Sequence, residues 1–225
     1  MIIAAHQPQY LPWLGFFDKI DSSDAFVLLD TVQFKKNEWQ HRNRIKTAGG
    51  WQWLSVPVRH RFGQIISEIQ INNTQRWQHK HIQSILQNYR RAPFFSEYQP
   101  VLEALLLKKW EYLSELNIVL IQLLCERLGI STPCYTASQL GDFTSDPDLR
   151  LIEITLSLGG QTYLAGAGGR EYMRLNLFQE AGIEVVFQDY RHPAYHQLHG
   201  DFMSHLSVID LLFNCGPESR RILKG

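Results

Sequence analysis

Short apolar runs alternate along this chain with longer stretches in which apolar residues recur at helical spacing. The apolar runs predict buried strands over residues 2–6, 24–30, 133–138, 161–166 and 183–190. The helical spacing predicts helices over 13–23, 145–160, 173–182 and 204–216. Because strand, helix and strand follow one another within the first 30 residues, we expect parallel strands joined by a right-handed crossover. The pattern predicts an α/β fold with a mainly parallel, doubly wound, Rossmann-like sheet.

Three segments depart from this alternation. Residues 43–47 and 51–58 are strand-like and flank the turn sequence AGG, which predicts an antiparallel hairpin beside the sheet. Residues 66–71 alternate apolar and polar and predict a further short strand. Residues 75–129 have helical spacing and end at a glycine, which predicts an insertion of two or three helices. No repeat or linker divides the chain, so we expect one domain over 1–225 with 75–129 as its helical insertion.

The charge balance bears on the class of partner. Lys plus Arg and Asp plus Glu both number 22, and this neutrality argues against a nucleic-acid partner. The three cysteines form no CxxC pair, which is typical of a reducing compartment and indicates no zinc knuckle. We find no secretory signal, and no apolar run is long enough to span a bilayer. We therefore expect a cytoplasmic protein without membrane insertion.

The first candidate site is the N-terminal stretch AHQPQYLPWLGF. His6 and Gln7 end the first predicted strand, and Tyr10 and Trp13 follow before the helix begins. Carboxyl ends of strands hold ligands in α/β proteins, and a helix start offers free N–H groups to an anion. We expect His6 and Tyr10 to be catalytic, with His6 as general base, and Gln7 and Trp13 to contact substrate. The alternative is a purely structural turn, which two prolines stiffen and in which the aromatic residues pack against the core.

The second candidate is the basic stretch QFKKNEWQHRNRIK. Guanidinium groups suit phosphate or carboxylate, and a neighbouring indole can stack on a base or sugar. The alternative is a solvated basic loop. We favour an anionic small-molecule substrate, bound by Lys35, Trp39, Arg42, Asn43 and Arg44.

A glycine-rich stretch, YLAGAGGREY, is the third candidate. Gly166, Gly168 and Gly169 lie between a predicted strand and a predicted helix, and Arg170 follows them. Exposed backbone N–H groups beside a guanidinium can hold a phosphate. The stretch matches neither a P-loop nor a dinucleotide-binding fingerprint, so a tight turn remains the alternative.

The fourth candidate is the histidine-rich tail HPAYHQLHGDF. Its spacing does not match a helical zinc motif, so we predict no metal ligand here. We expect His196 to be catalytic, as a general base. Ser207 and Asp210 are expected to cap the final helix.

Together, HQPQYLPWLGFFDKI, FVLLDTVQFKKNEWQHRNRIK, YLAGAGGREYM and the segment from PAYHQL to LLFNCG resemble the WbqC-like family of bacterial proteins, from residue 2 to about 216. The resemblance implies a cytoplasmic role in the synthesis of O-antigen or another surface polysaccharide. It implies a transferase that moves an acyl or aminoacyl group to an activated amino sugar. Its cofactor would be a nucleotide or an acyl or aminoacyl donor, with or without Mg²⁺. Its partner would be a carrier protein or a second copy of the chain.

Two other functions stay open. The turn Pro12–Phe16 is similar to the strand-to-helix turn of nucleotidyltransferases, but aromatic residues replace both histidines of their His-x-Gly-His box. An enzyme that uses a nucleoside triphosphate is therefore one alternative. A non-catalytic module that binds a nucleotide or sugar is the other.

Overall fold

The computed structural model describes residues 1–225, and its centre is a five-stranded parallel sheet. The strands are β1 (Ile2–His6), β2 (Ala25–Leu28), β3 (Arg42–Thr47), β4 (Gly50–Ser55), β5 (Val58–Arg59), β6 (Gln70–Ile71), β7 (Cys134–Thr136), β8 (Thr162–Ala165) and β9 (Glu184–Phe187). The helices are α1 (Leu14–Asp21), α2 (Trp77–Tyr89), α3 (Phe95–Leu106), α4 (Leu113–Leu128), α5 (Ala137–Leu140), α6 (Pro147–Ser157), α7 (Leu175–Glu180), α8 (Val208–Cys215) and α9 (Ser219–Lys224).

The strand order of the central sheet is β7-β2-β1-β8-β9, and every pair in it is parallel. The chain runs outward from β1 through β2 to β7, then crosses to the other side of β1 to form β8 and β9. This order confirms the predicted doubly wound α/β fold. It places the topological switch point between β1 and β8, where sheets of this kind bind ligands.

The ladder between β1 and β8 ends earlier than its neighbours. The last pair between these strands joins Ala4 to Leu164. The β1–β2 ladder continues to His6, and the β8–β9 ladder continues to Ala165. The sheet therefore opens at its carboxyl edge between β1 and β8.

Apolar side chains bury both faces of the sheet because successive strand residues point to opposite sides. Ala4 and Phe26 belong to a large core that includes buried residues of α1, α2, α3, α4 and α8. Ala5 and Tyr163 belong to a smaller core with α6 and α7. The helices of 75–129 thus share a core with the sheet. None of the helices has both the length and the apolar character that crossing a bilayer requires.

The predicted hairpin is present as the antiparallel pair β3–β4. Residues 66–71 differ from the predicted strand, because Ile66–Glu68 form a 3₁₀ turn and only Gln70–Ile71 form a strand. The amides of Ile66 and Ser67 donate to the carbonyls of Val32 and Asp30, which ties this turn to the end of β2.

Candidate functional site

A cavity of 410 Å³ lies at the switch point. Its lining includes His6 and Gln7 from the end of β1, Lys19 from α1, Tyr163 from β8, and Gly166 and Gly168 from the loop after β8. The chain order that separates β1 from β8 thus brings two of the four candidate stretches to one edge of the sheet. A larger recess of 760 Å³ lies beside β5, but none of its lining side chains is buried.

Lys19 places a buried amine at this cavity. Helix side chains lean toward the helix N-terminus, so Lys19 is directed back toward the carboxyl edge of the sheet. It is 4% exposed, and its Nζ atom donates to the carbonyl of Ala5 over 3.0 Å. It forms no ion pair, and burial lowers the pKa of Lys19 to about 8. The cavity therefore holds a cation whose charge no carboxylate balances.

His6 ends β1 and is held in a defined orientation. Its Nδ1 atom lies 3.0 Å from the carbonyl of Gln7, and its ring packs edge-on against Phe16. Because a carbonyl only accepts, Nδ1 carries the proton and Nε2 carries the free lone pair of the neutral ring. Burial, together with the nearby charge of Lys19, lowers the pKa of His6 to about 4. The imidazole is therefore neutral at pH 7, with Nε2 able to accept a proton.

The glycines of the loop after β8 have different roles. A Cβ atom at Gly169 would lie 2.7 Å from the Sδ atom of Met173, so that side chain would have to shift to admit a larger residue. Gly166 and Gly168 have no neighbour within 4 Å of such an atom, and neither has a positive φ. The amide of Gly166 donates to no group of the protein. These two glycines keep the cavity wall open and its backbone accessible.

The basic stretch approaches the tip of β1 through hydrogen bonds. Gln40 Nε2 donates to Gln7 Oε1 over 2.6 Å, and Asn43 Nδ2 donates to the carbonyl of Leu11 over 2.6 Å. The amide of Tyr10 donates to the carbonyl of Trp39. The hairpin is thus fixed against the turn that follows β1.

The cations of this stretch do not line the cavity. The guanidinium of Arg42 lies 4.2 Å from the ring centre of Trp53 and donates to the carbonyl of Asn37. Arg44 lies 5.2 to 5.9 Å from the ring centres of three tryptophans, Trp39, Trp51 and Trp53. Lys35 is exposed. These groups form a separate surface of arginine and tryptophan on the hairpin.

Trp13 packs against the histidine-rich tail rather than facing the cavity. Its ring stacks on His205 at 5.2 Å and on His192 at 6.4 Å. A Cβ atom at Gly15 would lie 2.2 Å from the indole, so glycine at this position makes room for the tryptophan. The carbonyl of His205 accepts from Arg44, which connects the tail to the hairpin.

Three further candidate residues lie outside the cavity. Tyr10 is fully buried, and its hydroxyl hydrogen-bonds to Nδ1 of His81 at 2.8 Å. His196 is exposed in the tail. Arg170 is exposed and its guanidinium lies 4.5 Å from the ring centre of Phe187.

Of the two residues expected to cap the final helix, one does so and the other has a different role. Ser207 accepts from the amide of Ile209 and caps α8 as expected. Asp210 is instead fully buried and accepts from Tyr89, Tyr195 and Gln197. Lys19 is a charged cavity residue that the sequence reasoning missed. The signal was present, since Lys19 lies three residues after Phe16, on the apolar face of a helix.

The fold and the cavity define a doubly wound α/β protein with a cavity at its switch point. The chain belongs to the WbqC-like protein family, whose sequence pattern matches residues 7–222. It is also 36% identical, over 228 residues, to the "Uncharacterized protein Rv1507c" of Mycobacterium tuberculosis (strain ATCC 25618 / H37Rv). That similarity covers 99% of this chain and 97% of the mycobacterial protein. No solved structure matches the chain. The family resemblance seen in the sequence is thereby confirmed.

Proposed function

We propose that this chain is a transferase that moves an acyl or aminoacyl group to a nucleotide-linked amino sugar in surface-polysaccharide biosynthesis. The observation that carries the proposal is the switch-point cavity, into which β1 brings a neutral imidazole with a free Nε2 atom. The proposal is also supported by the resemblance to a family associated with polysaccharide synthesis. Gln7 and the open glycines Gly166 and Gly168 would contact the substrates.

The chemistry of His6 favours an amine over a hydroxyl as acceptor. An alcohol must lose its proton as it attacks, and an imidazole whose pKa lies near 4 is a weak base for that task. A neutral amine attacks first and becomes acidic only in the tetrahedral intermediate. The acceptor nitrogen would bond to the acyl carbon, His6 Nε2 would take the nitrogen's proton, and the donor's leaving group would depart with the bonding electrons.

The test is a transfer assay with the full chain. UDP- and dTDP-linked amino sugars are incubated with acyl-CoA or aminoacyl donors, with and without Mg²⁺. The products are identified by mass spectrometry. We expect one donor class to add its acyl mass to the sugar. Replacing His6→Asn should slow this reaction by about 10²-fold or more, because a positioned proton acceptor contributes that much. The matched control is His79→Asn, since His79 is exposed on α2.

Each other outcome has a distinct meaning. Full activity in His6→Asn contradicts the role of His6. Pyrophosphate release from a nucleoside triphosphate would identify a nucleotidyltransferase instead. Ligand binding without a product from any donor would identify a binding module and reject the transferase.

A further inference from the structure

We propose that Lys19 is the anion-binding residue of the switch-point cavity, and that the natural ligand places a phosphate or carboxylate group against its ammonium. This inference rests on the proposed function, because it names the chemistry of the ligand in the same cavity. It is nevertheless tested by binding alone, without any transfer reaction.

The buried ammonium of Lys19 has no carboxylate partner in the protein. A buried cation is stable in a protein when a counter-ion or several acceptors replace its water. Lys19 is 4% exposed and has one acceptor, the carbonyl of Ala5, for its three N–H bonds. Lys19 lines a cavity large enough for part of a small molecule, where its Nζ atom lies 5.9 Å from the ring centre of Tyr163. An anion bound there would supply the missing partner.

The central sheet opens between β1 and β8, beside the amine of Lys19. Pairing between β1 and β8 stops at Ala4 and Leu164, and Lys19 reaches the Ala5 carbonyl just beyond that point. The amine thus lies where the two strands separate, at the carboxyl edge. The wall opposite contains Gly166 and Gly168, at which neither φ nor packing requires a glycine. Residues without side chains at these positions let a ligand approach the backbone.

The other cationic side chains near the carboxyl edge of the sheet contact groups outside the cavity. Arg42 and Arg44 stack on tryptophan rings and donate to the backbone carbonyls of Asn37 and His205. Arg170 is exposed over the ring of Phe187. Lys19 is the only lysine or arginine that lines the cavity. The imidazole of His6 beside it is neutral at pH 7, so it leaves the charge to Lys19.

Calorimetric titration of the full chain with pyrophosphate and with malonate tests the proposal and distinguishes phosphate from carboxylate ligands. We expect wild type to bind one of these probes, and Lys19→Met to weaken that binding at least tenfold. Lys80→Met is the matched control, because Lys80 is exposed on α2. Lys19→Met should keep or raise the thermal midpoint, since an apolar side chain of similar length replaces an unpaired buried charge. Should that variant fail to fold, Lys19→Gln takes its place.

Sulfate provides an independent readout because its own charge is constant between pH 7 and 9. The pKa of Lys19 near 8 predicts that sulfate affinity falls about tenfold over this range in wild type. The affinity should be independent of pH in the variant without the amine. Wild type that binds none of the three anions, or a Lys19→Met variant that binds them as wild type does, overturns the proposal. Anion binding without transfer instead contradicts only the proposed function.

Discussion

The side-chain amide of Gln40 donates to Oε1 of Gln7 over 2.6 Å and joins two segments that lie 33 residues apart. Gln7 lines the switch-point cavity, while Gln40 precedes the hairpin and also accepts from the amide of Lys35. One hydrogen bond therefore fixes the orientation of a cavity side chain from outside the cavity.

This contact predicts coupling between the two glutamines. Single replacements Gln7→Ala and Gln40→Ala, and the double variant, form a mutant cycle measured by urea unfolding. We expect a coupling free energy of about 1 kcal/mol, the usual net worth of a side-chain hydrogen bond. Additive effects within error would show that the two side chains do not interact in solution.

Replacing Gly160 and replacing Gly168 should affect stability differently, because Gly160 is tightly packed and Gly168 lines the cavity. Gly160→Ala should lower the free energy of unfolding by about 2 kcal/mol, because the new Cβ atom would lie 2.4 Å from Ile3 and close to Thr155. Gly168→Ala should change it by less than about 0.5 kcal/mol, because the methyl group would enter open space. Thermal or urea unfolding of both variants measures this contrast. A large loss at Gly168 would mean that this glycine serves packing and does not keep a ligand site open.

Buried His81 predicts loss of stability in weak acid. Its Nδ1 atom accepts from Tyr10 and its Nε2 atom donates to the carbonyl of Ser55, so the folded ring is neutral. Burial lowers the pKa of His81 to about 4, below the value near 6.5 expected in the unfolded chain. The unfolded state then binds more protons between these values. The stability that His81 contributes is complete above pH 6.5 and is lost as the pH falls toward 4, by up to about 3 kcal/mol.

The measurement is urea unfolding at pH 7 and pH 5 for wild type and His81→Gln. The variant should lose less stability than wild type between these two values, because it lacks the titrating ring. Equal losses in both proteins would assign the acid sensitivity to other groups. His6, whose pKa is lowered in the same direction, remains in both proteins and so cancels in the comparison.

Asp210 predicts a large stability effect far from the cavity. Its carboxylate is fully buried and accepts from Tyr89 and Tyr195 at 2.8 Å and from Gln197 at 2.9 Å. Asp210→Ala would leave three buried donors without an acceptor and should cost about 3 kcal/mol or more. Asp142→Ala, at an exposed position, should change stability by less than about 0.5 kcal/mol. Equal thermal midpoints for the two variants would contradict this role.

Much of the local structure follows from the sequence pattern. The five strands of the central sheet, the hairpin and the helices α2, α3 and α4 lie where apolar runs and helical spacing predicted them. His6, Gln7 and the glycines could be placed at the carboxyl edge because parallel strands end on the same side of a sheet. Short-range spacing also marked Ser207 as a helix cap. Each of these depends on neighbours a few residues away, and so a single sequence is sufficient to predict them.

The tertiary structure decided which distant residues meet. The strand order put β8 beside β1, and only this pairing brings Gly166 to His6. The same packing turned Trp13 toward His205 and drew Arg44 onto the tryptophans of the hairpin, away from the cavity. Lys19 has the local sequence of an ordinary helix lysine, and its buried amine lies 5.9 Å from the ring of Tyr163, a residue distant along the chain. Such contacts follow from how whole elements pack, which local periodicity does not encode.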